Sequence, residues 1–308
     1  MEFFRNPKIN FVGGMKVAFS LSAALVVISA VLMLIHGGPR LSIDFTGGSV
    51  LQVKMDPAPS VGEIRSALGE KGYEGVQVTE FGSADEFLIT FPSHDVATKT
   101  LDQAQILMND LTASMPDREI ELRREESVGP KIGDELRQSA ASAIVGALAL
   151  IVLYITMRFV FRYGIAAILA LVHDVTLTLG VFSLLDLEIS LSIIAAFLTI
   201  IGYSLNDTIV VFDRIRENMR LRRKESYRDV INRSINECLS RTVLTSVTTF
   251  MVSLTLYLLG GAVIHDFAFA LTFGVVIGTY SSTFIASPIL VWWYERHITD
   301  KKRMAMDM

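Results

Sequence analysis

Two aspartates stand inside long apolar stretches of this sequence, where carboxylates are rare. Asp174, next to His173, lies about ten residues into one apolar run, and Asp207, after Asn206, lies about five residues before the end of another. An aspartate in the middle of a membrane-spanning helix costs about 2.5–3.5 kcal/mol on insertion scales. Each of these carboxylates therefore needs a structural or a functional reason.

Arg241 is a basic residue that could meet Asp207. It stands at the start of an apolar run, and a helix that began slightly earlier would place it at the depth of Asp207. One interpretation is a static ion pair that fastens two helices together. The other is a proton-binding carboxyl, at which an arriving proton would release Arg241 and let the helices shift. For His173 and Asp174, a hydrogen bond between helices and a second proton-relay site are equally open.

Other kinds of chemistry lack their signatures in this sequence. No Walker A pattern is present, so ATP is not expected to be the energy source of this chain. An intramembrane aspartyl protease would need Y-D and G-x-G-D signatures, but V-H-D ends at Asp174 and L-N-D ends at Asp207. Cys238 is the only cysteine, so no internal disulfide can form. We expect no enzyme activity, no cofactor, no metal site and no nucleic-acid partner.

Six apolar runs are long enough to cross the roughly 30 Å hydrocarbon core of a bilayer as helices. Hydrophobic residues make up 51% of the chain and the mean hydropathy is +0.45, and their concentration in these long runs excludes a soluble globular protein. The predicted spans are 15–36, 138–157, 164–185, 189–212, 242–260 and 266–293. The first follows a basic start but is too long for a signal peptide, so we expect a retained anchor.

Basic residues set the expected orientation of these spans. They are concentrated after the second span, in the joint at 213–241 and in the tail at 301–308, whereas the other short joints lack Lys and Arg. Because cytoplasmic loops carry the excess of Lys and Arg, both termini are expected in the cytoplasm. Residues 1–36 then hold the cytoplasmic N-terminus and first span, 37–137 form an extracytoplasmic domain, and 138–300 contain the other five spans.

The long loop between the first two spans has the patterning of a folded domain. Four stretches alternate like strands and two have helical spacing, in the order β-α-β-β-α-β that is typical of a ferredoxin-like fold. In chain order they are Ser49–Met55, Ser60–Lys71, Val76–Glu80, Glu86–Phe91, Thr98–Met115 and Glu119–Arg124. The predicted architecture is an α-helical polytopic membrane protein, a six-helix bundle with an α+β domain between its first two helices.

Two further patterns concern the membrane surface and helix packing. Between Tyr227 and Leu239, apolar residues recur at helical spacing among basic ones, which predicts a helix lying in the cytoplasmic interface of the membrane. Gly274 and Gly278 form a G-x-x-x-G pattern in the last span. Such small residues let another helix approach closely, although the pattern does not identify that helix.

Three stretches, dispersed over most of the chain, carry a resemblance to a known family. The first is Asp44-Phe45-Thr46-Gly47-Gly48, and the second is V-G-P-K-I-G-D-E-L, which contains Gly129 and Pro130. The third is I-G-Y-S-L-N-D-T, which ends just after Asp207. It is followed by F-D-R-I-R-E-N, with Asp213 and Arg214, and by S-R-T around Arg241. In this order they resemble the SecD/SecF family of protein-export membrane proteins, and within it the SecF branch.

The resemblance implies membership in the resistance-nodulation-division superfamily, in which two six-helix halves couple proton flow to the motion of outer domains. This chain resembles one half only. The positions that match the family's proton pathway are Asp207 and Arg241, and the expected pathway also includes Asn206, Asp174 and His173. The family uses a further aspartate on SecD, so this chain alone would not complete the relay.

The function implied by the resemblance is that of an accessory subunit of the Sec translocase in the bacterial inner membrane. With SecD, it would use the proton-motive force for late steps of translocation, after the SecA ATPase has driven the preprotein through the SecYEG channel. The expected partners are SecD, SecYEG, SecA, unfolded preproteins and membrane lipid. Two alternatives stay open: half of a proton-driven small-molecule exporter of the same superfamily, and a structural subunit of the translocon that uses no protons.

Overall fold

The computed structural model describes residues 7–73, 76–92 and 100–306 of the 308-residue chain. The first six residues of the predicted segment 1–36, the first two of the helix predicted at Thr98–Met115 and the last two of the tail lie outside this part. The chain divides into two compact units. The membrane unit comprises Met1–Pro39, Ile144–Leu187 and Ser192–Met308, and the loop unit comprises Arg40–Ala143 and Glu188–Leu191.

The structure contains ten α-helices, one π-helical turn and four strands among the described residues. In chain order they are α1 (Phe11–Ile35), α2 (Ile43–Thr46), β1 (Gly48–Asp56), α3 (Val61–Glu70), β2 (Gln77–Phe81), β3 (Ser83–Pro92), α4 (Thr100–Ser114), β4 (Glu119–Val128), α5 (Pro130–Arg158), α6 (Phe161–Leu184), α7 (Leu191–Leu221), α8 (Tyr227–Leu259), α9 (Ala262–Ser281), a π-helical turn (Ser282–Ala286) and α10 (Ser287–Met306).

Six helices in the described part of the chain are long and apolar enough to cross a membrane: α1, α5, α6, α7, α8 and the stretch from Ala262 to Arg296. Each overlaps one predicted span, so the predicted number is confirmed. More than half of the apolar stretch of α6 is buried inside the structure, against about a tenth for α1 and α5. The centre of the membrane unit is therefore built on α6 and α7, while α1 and α5 leave broad apolar faces uncovered.

In the joint at 213–241, residues Tyr227 to Leu239 do not form the separate interfacial helix that the sequence predicts. Those residues are the first turns of α8, a single helix of 33 residues. At 1.5 Å per residue it is about 50 Å long, which exceeds the hydrocarbon thickness. Ser226 caps its start, and Ile231 and Ile235 are buried in the same cluster as Ile215 of α7. The apolar spacing reflects packing against α7, so the predicted interfacial helix is wrong.

The loop unit has the predicted ferredoxin-like order. Its four strands form an antiparallel sheet in the order β2-β3-β1-β4. Alternate residues of β1 point inward, and Leu51, Val53 and Met55 are fully buried against Leu68 of α3 and Leu107 of α4. The capping box of Ser60 and Glu63 fixes the start of α3. Two helices thus cover one face of the sheet and enclose a core of its own.

The G-x-x-x-G pattern brings α9 against α7. A methyl group on Gly274 would overlap the side chain of Ile200, and one on Gly278 would lie 3.0 Å from the Cβ of Ser204. The prediction of close packing is confirmed, and the structure identifies α7 as the partner. The close packing of α9 against α7 brings Ser204 next to the end of α9.

Gly180 marks a second close approach, between α6 and α1. A methyl group there would overlap Ser29 Cβ and would lie 2.9 Å from its Cα, so the backbone of α1 would have to move. We expect Gly180→Ala to lower the free energy of unfolding by about 1–3 kcal/mol, as overpacking does. Thermal unfolding of the full chain in detergent measures the change.

Gly146→Ala in α5 is the matched control for Gly180→Ala. No atom lies within 4 Å of a methyl group at Gly146, so this variant keeps only the gain in helix propensity of about 1 kcal/mol. We expect its unfolding midpoint to stay or to rise. Equal midpoints for the two variants would contradict the close contact between Gly180 and Ser29.

Candidate functional site

The carboxylate of Asp207 is buried in the membrane unit, with 6% of the residue exposed. Thr242 of α8 donates a hydrogen bond from Oγ1 to Oδ1 at 2.6 Å, and Ser282 of the π-helical turn donates one from Oγ to Oδ2 at 2.6 Å. Each carboxylate oxygen is therefore held by one hydroxyl from a different helix. Asp207 ties α7, α8 and the last span together at one point.

Arg241 does not form the predicted ion pair with Asp207. Its side chain is exposed, and no ion pair joins the two residues in the part of the chain that the structure describes. Successive residues on a helix point about 100° apart, so when Thr242 faces the carboxylate its neighbour faces elsewhere. Arg241 still acts on Asp207 electrostatically. Asn206, another residue of the predicted pathway, is exposed beside Asp207 on α7.

Asp174 is even more deeply buried, with 1% of the residue exposed. Its Oδ1 lies 2.9 Å from Nδ1 of His173, and its Oδ2 accepts hydrogen bonds from Ser204 at 2.6 Å and Ser281 at 2.8 Å. The helix–helix hydrogen bond considered for this position is thus present, since the carboxylate of α6 binds hydroxyls of α7 and α9.

The hydroxyls that hold the two carboxylates were not identified from the sequence. Ser204, Ser281 and Ser282 are each fully buried. A serine can satisfy its own hydroxyl within its helix, so its presence in a span does not reveal a partner. The run of three consecutive hydroxyl residues, Ser281, Ser282 and Thr283, inside a membrane span was the available signal.

Hydroxyl groups suit a carboxyl that changes its protonation state. A serine or threonine hydroxyl can donate to an ionised carboxylate and can accept from a protonated carboxyl. A guanidinium can only donate, so an Arg partner would favour the ionised form alone. The surroundings of Asp207 can therefore satisfy both states without a change of partner.

The Asp44-Phe45-Thr46-Gly47-Gly48 stretch forms a tight turn at the start of the loop unit. Oδ2 of Asp44 accepts a hydrogen bond from the backbone N–H of Leu191, the first residue of α7, at 2.9 Å. Gly47 has a φ of 71°, and a methyl group there would lie 3.1 Å from the Cα of Pro130. The turn thus packs against the stretch that begins at Val128, and two of the three family-like sequences meet.

The third family-like sequence makes contacts between helices at the end of α7. Asp213 pairs with Arg158 of α5 at 2.6 Å, and Arg214 pairs with Glu237 of α8 at 2.6 Å. Asn218 is buried and donates to the same Glu237 carboxylate at 2.7 Å. Partly exposed ion pairs of this kind contribute about 0–1 kcal/mol each, so their main effect is to fix the geometry of the joint.

Tyr73 is a titratable residue of the loop unit with a carboxylate partner. Tyr73 donates a hydrogen bond to Asp110 at 2.7 Å, and burial, reinforced by this carboxylate, raises the pKa of Tyr73 to about 12. The hydroxyl therefore stays neutral at ordinary pH and connects the end of α3 to α4. Among the residues that the structure describes, no group of three or more His, Cys, Asp or Glu side chains is placed to hold a metal ion.

Two family models match the sequence. The model of the C-terminal region of the SecD/SecF protein-export membrane proteins covers residues 108–296, and the model of the SecD/SecF GG motif covers residues 33–59. The second match contains the glycine turn described above. The first contains both buried carboxylates and all the hydroxyls that hold them.

Several curated proteins are similar over nearly the whole chain. Protein translocase subunit SecF of Desulfurispirillum indicum is 46% identical over 91% of this chain and 90% of its own length. SecF of Vibrio alginolyticus is 44% identical over 91% of this chain and 88% of its own. Protein translocase subunit SecDF of Thermus thermophilus is 41% identical over 94% of this chain, which spans only 39% of that longer protein.

Solved structures give the same result for the fold. The crystal structure of SecDF from Thermus thermophilus, a translocon-associated membrane protein, matches with a TM-score of 0.85 at 41% identity, over 94% of this chain and 39% of that one. SecDF in its super-membrane-facing form matches with a TM-score of 0.72 at 39% identity, over 98% of this chain and 41% of that one. The buried aspartates, the glycine turn and these similarities agree, and the chain belongs to the SecD/SecF family of protein-export membrane proteins.

Proposed function

We propose that this chain works with a SecD partner to couple the proton-motive force to late steps of preprotein translocation across the bacterial inner membrane. The observation that carries the proposal is the buried carboxyl of Asp207, held by the hydroxyls of Thr242 and Ser282 from two other helices. A proton that arrives at such a carboxyl changes a contact shared by three helices. The similarity to protein translocase subunits supports protein export as the process that this change drives.

The SecD partner is supported by the Thermus thermophilus relative. That protein is a SecDF, and the present chain spans 39% of it. In this proposal the second six-helix half is a SecD, either a separate chain or fused to this one, and it supplies the other acidic residue of the proton relay. The apolar faces that α1 and α5 leave uncovered are available to such a half or to lipid.

The energy of one proton crossing the membrane is sufficient to shift an equilibrium between two conformations. Moving one elementary charge across a potential of about 100 mV supplies roughly 2.3 kcal/mol. That is about a fiftyfold change in the ratio of two conformations, since each 1.4 kcal/mol is tenfold. The proton gradient is thus the proposed energy source, and we propose no cofactor and no enzymatic reaction for this chain.

The proposed orientation of the chain in the membrane rests on its basic residues. The joint at 213–241 and the tail at 301–308 are proposed to face the cytoplasm, where SecA and SecYEG deliver the preprotein. The loop unit then lies outside, where it would contact the emerging preprotein. Gly37, with a φ of 74°, and Gly38, with a φ of 115°, provide backbone freedom between α1 and that unit.

Preprotein release from membrane vesicles tests the proposal. Vesicles that contain the translocon would be prepared with this chain and SecD, with SecD alone, and with neither, and release would be followed with an imposed proton gradient and after its collapse by a protonophore. We expect the gradient to accelerate release only when both proteins are present. Acceleration of the same size without this chain would leave it the role of a structural subunit.

A further inference from the structure

Two adjacent serines contact the two buried carboxylates. Ser281 donates from Oγ to Oδ2 of Asp174 at 2.8 Å, and Ser282 donates from Oγ to Oδ2 of Asp207 at 2.6 Å. We call these two residues the serine step. Because they are neighbours on one helix, a change of the helix backbone at one of the two contacts is transmitted directly to the other.

A second connection runs through α7. Ser204 donates to Asp174 at 2.6 Å, and Asp207 follows three residues later, on the same face of the helix. Gly278 allows this approach, since its Cα lies against Ser204 without a side chain between them. The two carboxyls are therefore linked by two separate helices.

The serine step lies where the helix changes its hydrogen-bonding pattern. Ser281 is the last residue of α9, and Ser282 is the first of the π-helical turn. The hydroxyl of Ser287 donates to the carbonyl of Ser282 at 3.1 Å, across the turn. Single π-helical turns inside α-helices occur frequently at functional sites.

Each serine of the step has a second acceptor within reach. The hydroxyl of Ser281 lies 3.2 Å from the carbonyl of Gly278, and that of Ser282 lies 3.0 Å from the carbonyl of Thr279. When a proton joins Oδ2 of the carboxyl, the new O–H donates to the serine oxygen. The serine hydrogen then turns to its carbonyl, and no hydroxyl loses its acceptor.

Within the described part of the chain, His173 places a ring nitrogen without a hydrogen-bond partner close to Asp174. The histidine is 6% exposed, its Nδ1 contacts Asp174, and its Nε2 is buried with no hydrogen-bond partner among the described residues. In a neutral ring whose Nδ1–H donates to the carboxylate, Nε2 carries the free lone pair. An open proton acceptor thus stands next to Asp174, inside the bundle.

From these contacts we propose that Asp174 binds a second proton, and that the serine step makes the protonation of Asp174 depend on that of Asp207. The inference rests on the proposed function, because it adds a second carboxyl to the proton relay of the same chain. Ser281 and Ser282 are positioning residues in this scheme, since they act through the two carboxyls.

Other titratable or charged side chains surround the pair and must be kept constant in a test. They are His173 on α6, Tyr203 on α7, Cys238 and Arg241 on α8, and Tyr280 on α9. The hydroxyl of Tyr280 is committed to α1, where it donates to the carbonyl of Ala18 at 2.9 Å. The variants below change none of these groups.

Labelling with dicyclohexylcarbodiimide, which reacts with protonated carboxyls in apolar surroundings, tests the inference. The full chain with SecD in lipid vesicles would be labelled over a range of pH, and mass spectrometry would quantify the adduct at Asp174 and Asp207. We expect both residues to be labelled in the wild type. In Asp207→Asn, we expect labelling of Asp174 at a fixed pH to change by at least about threefold, as for interacting sites.

The serine step is tested in the same assay. We expect Ser281→Ala and Ser282→Ala each to weaken the effect of Asp207→Asn on Asp174, and Ser282→Thr, which keeps a hydroxyl and reports on folding, to retain it in full. The inference is overturned by an Asp174 that is never labelled, by labelling that is indifferent to Asp207→Asn, or by an effect that keeps its full size without the serine hydroxyls. Preprotein release is not part of this readout, so failure of the proposed function would appear only in the release assay.

Discussion

Asp207→Asn is expected to abolish the gradient-stimulated part of preprotein release and to leave the gradient-independent part unchanged. Asparagine has nearly the same shape as aspartate but cannot take up or release a proton. Its Oδ1 can accept from one hydroxyl and its Nδ2 can donate to the other, so the contacts with Thr242 and Ser282 at 2.6 Å can be kept. The loss would therefore come from chemistry and not from unfolding. Release from vesicles with and without an imposed gradient measures it.

Asp266→Asn is the matched control for this variant. Asp266 lies in the same last span as Ser282, but 44% of its side chain is exposed and its partner is the neighbouring His265 at 3.1 Å. We expect this variant to respond to the gradient as the wild type does. If Asp207→Asn also kept its full response while still assembled with SecD, Asp207 would be a static fastening between helices, and the proposed coupling would be wrong.

Phe87→Ala is expected to have the largest effect on stability. Phe87 lies on β3 opposite Val53 of β1, and both residues are fully buried in the core of the loop unit. Truncation of a buried phenylalanine costs about 3–5 kcal/mol, through lost burial and the cavity left behind. A small domain has a total stability of about 5–15 kcal/mol, so a large share of it is removed.

Hydrogen–deuterium exchange of the full chain in detergent measures this change. The amides of β1 exchange through opening of the loop unit, and a loss of 3 kcal/mol speeds that exchange by at least about a hundredfold. Ile106→Ala on α4, where 49% of the isoleucine is exposed, is the control and is expected to change exchange little. Similar protection in both variants would show that Phe87 does not support this core.

The sequence was informative where the physical signal is local. Six apolar runs predicted six spans, since a helix in a membrane must satisfy its own backbone hydrogen bonds and needs a fixed length to cross. The β-α-β-β-α-β order followed from the same kind of local periodicity. The segment at Tyr227–Leu239 shows the limit of this reasoning. Apolar spacing on a helix reports that one face is covered, and it does not distinguish lipid from α7.

The sequence by itself also determined that Asp174 and Asp207 stand in membrane spans, because that depends only on counting residues. Which groups hold them was decided by the tertiary structure. Arg241 is the obvious partner by charge, but the rotation of α8 presents Thr242 instead, and close packing at Gly278 brings Ser204 beside the serine step. Side-chain partners across helices depend on rotation and approach, which are set by the packing of the whole bundle and not by any local stretch of sequence.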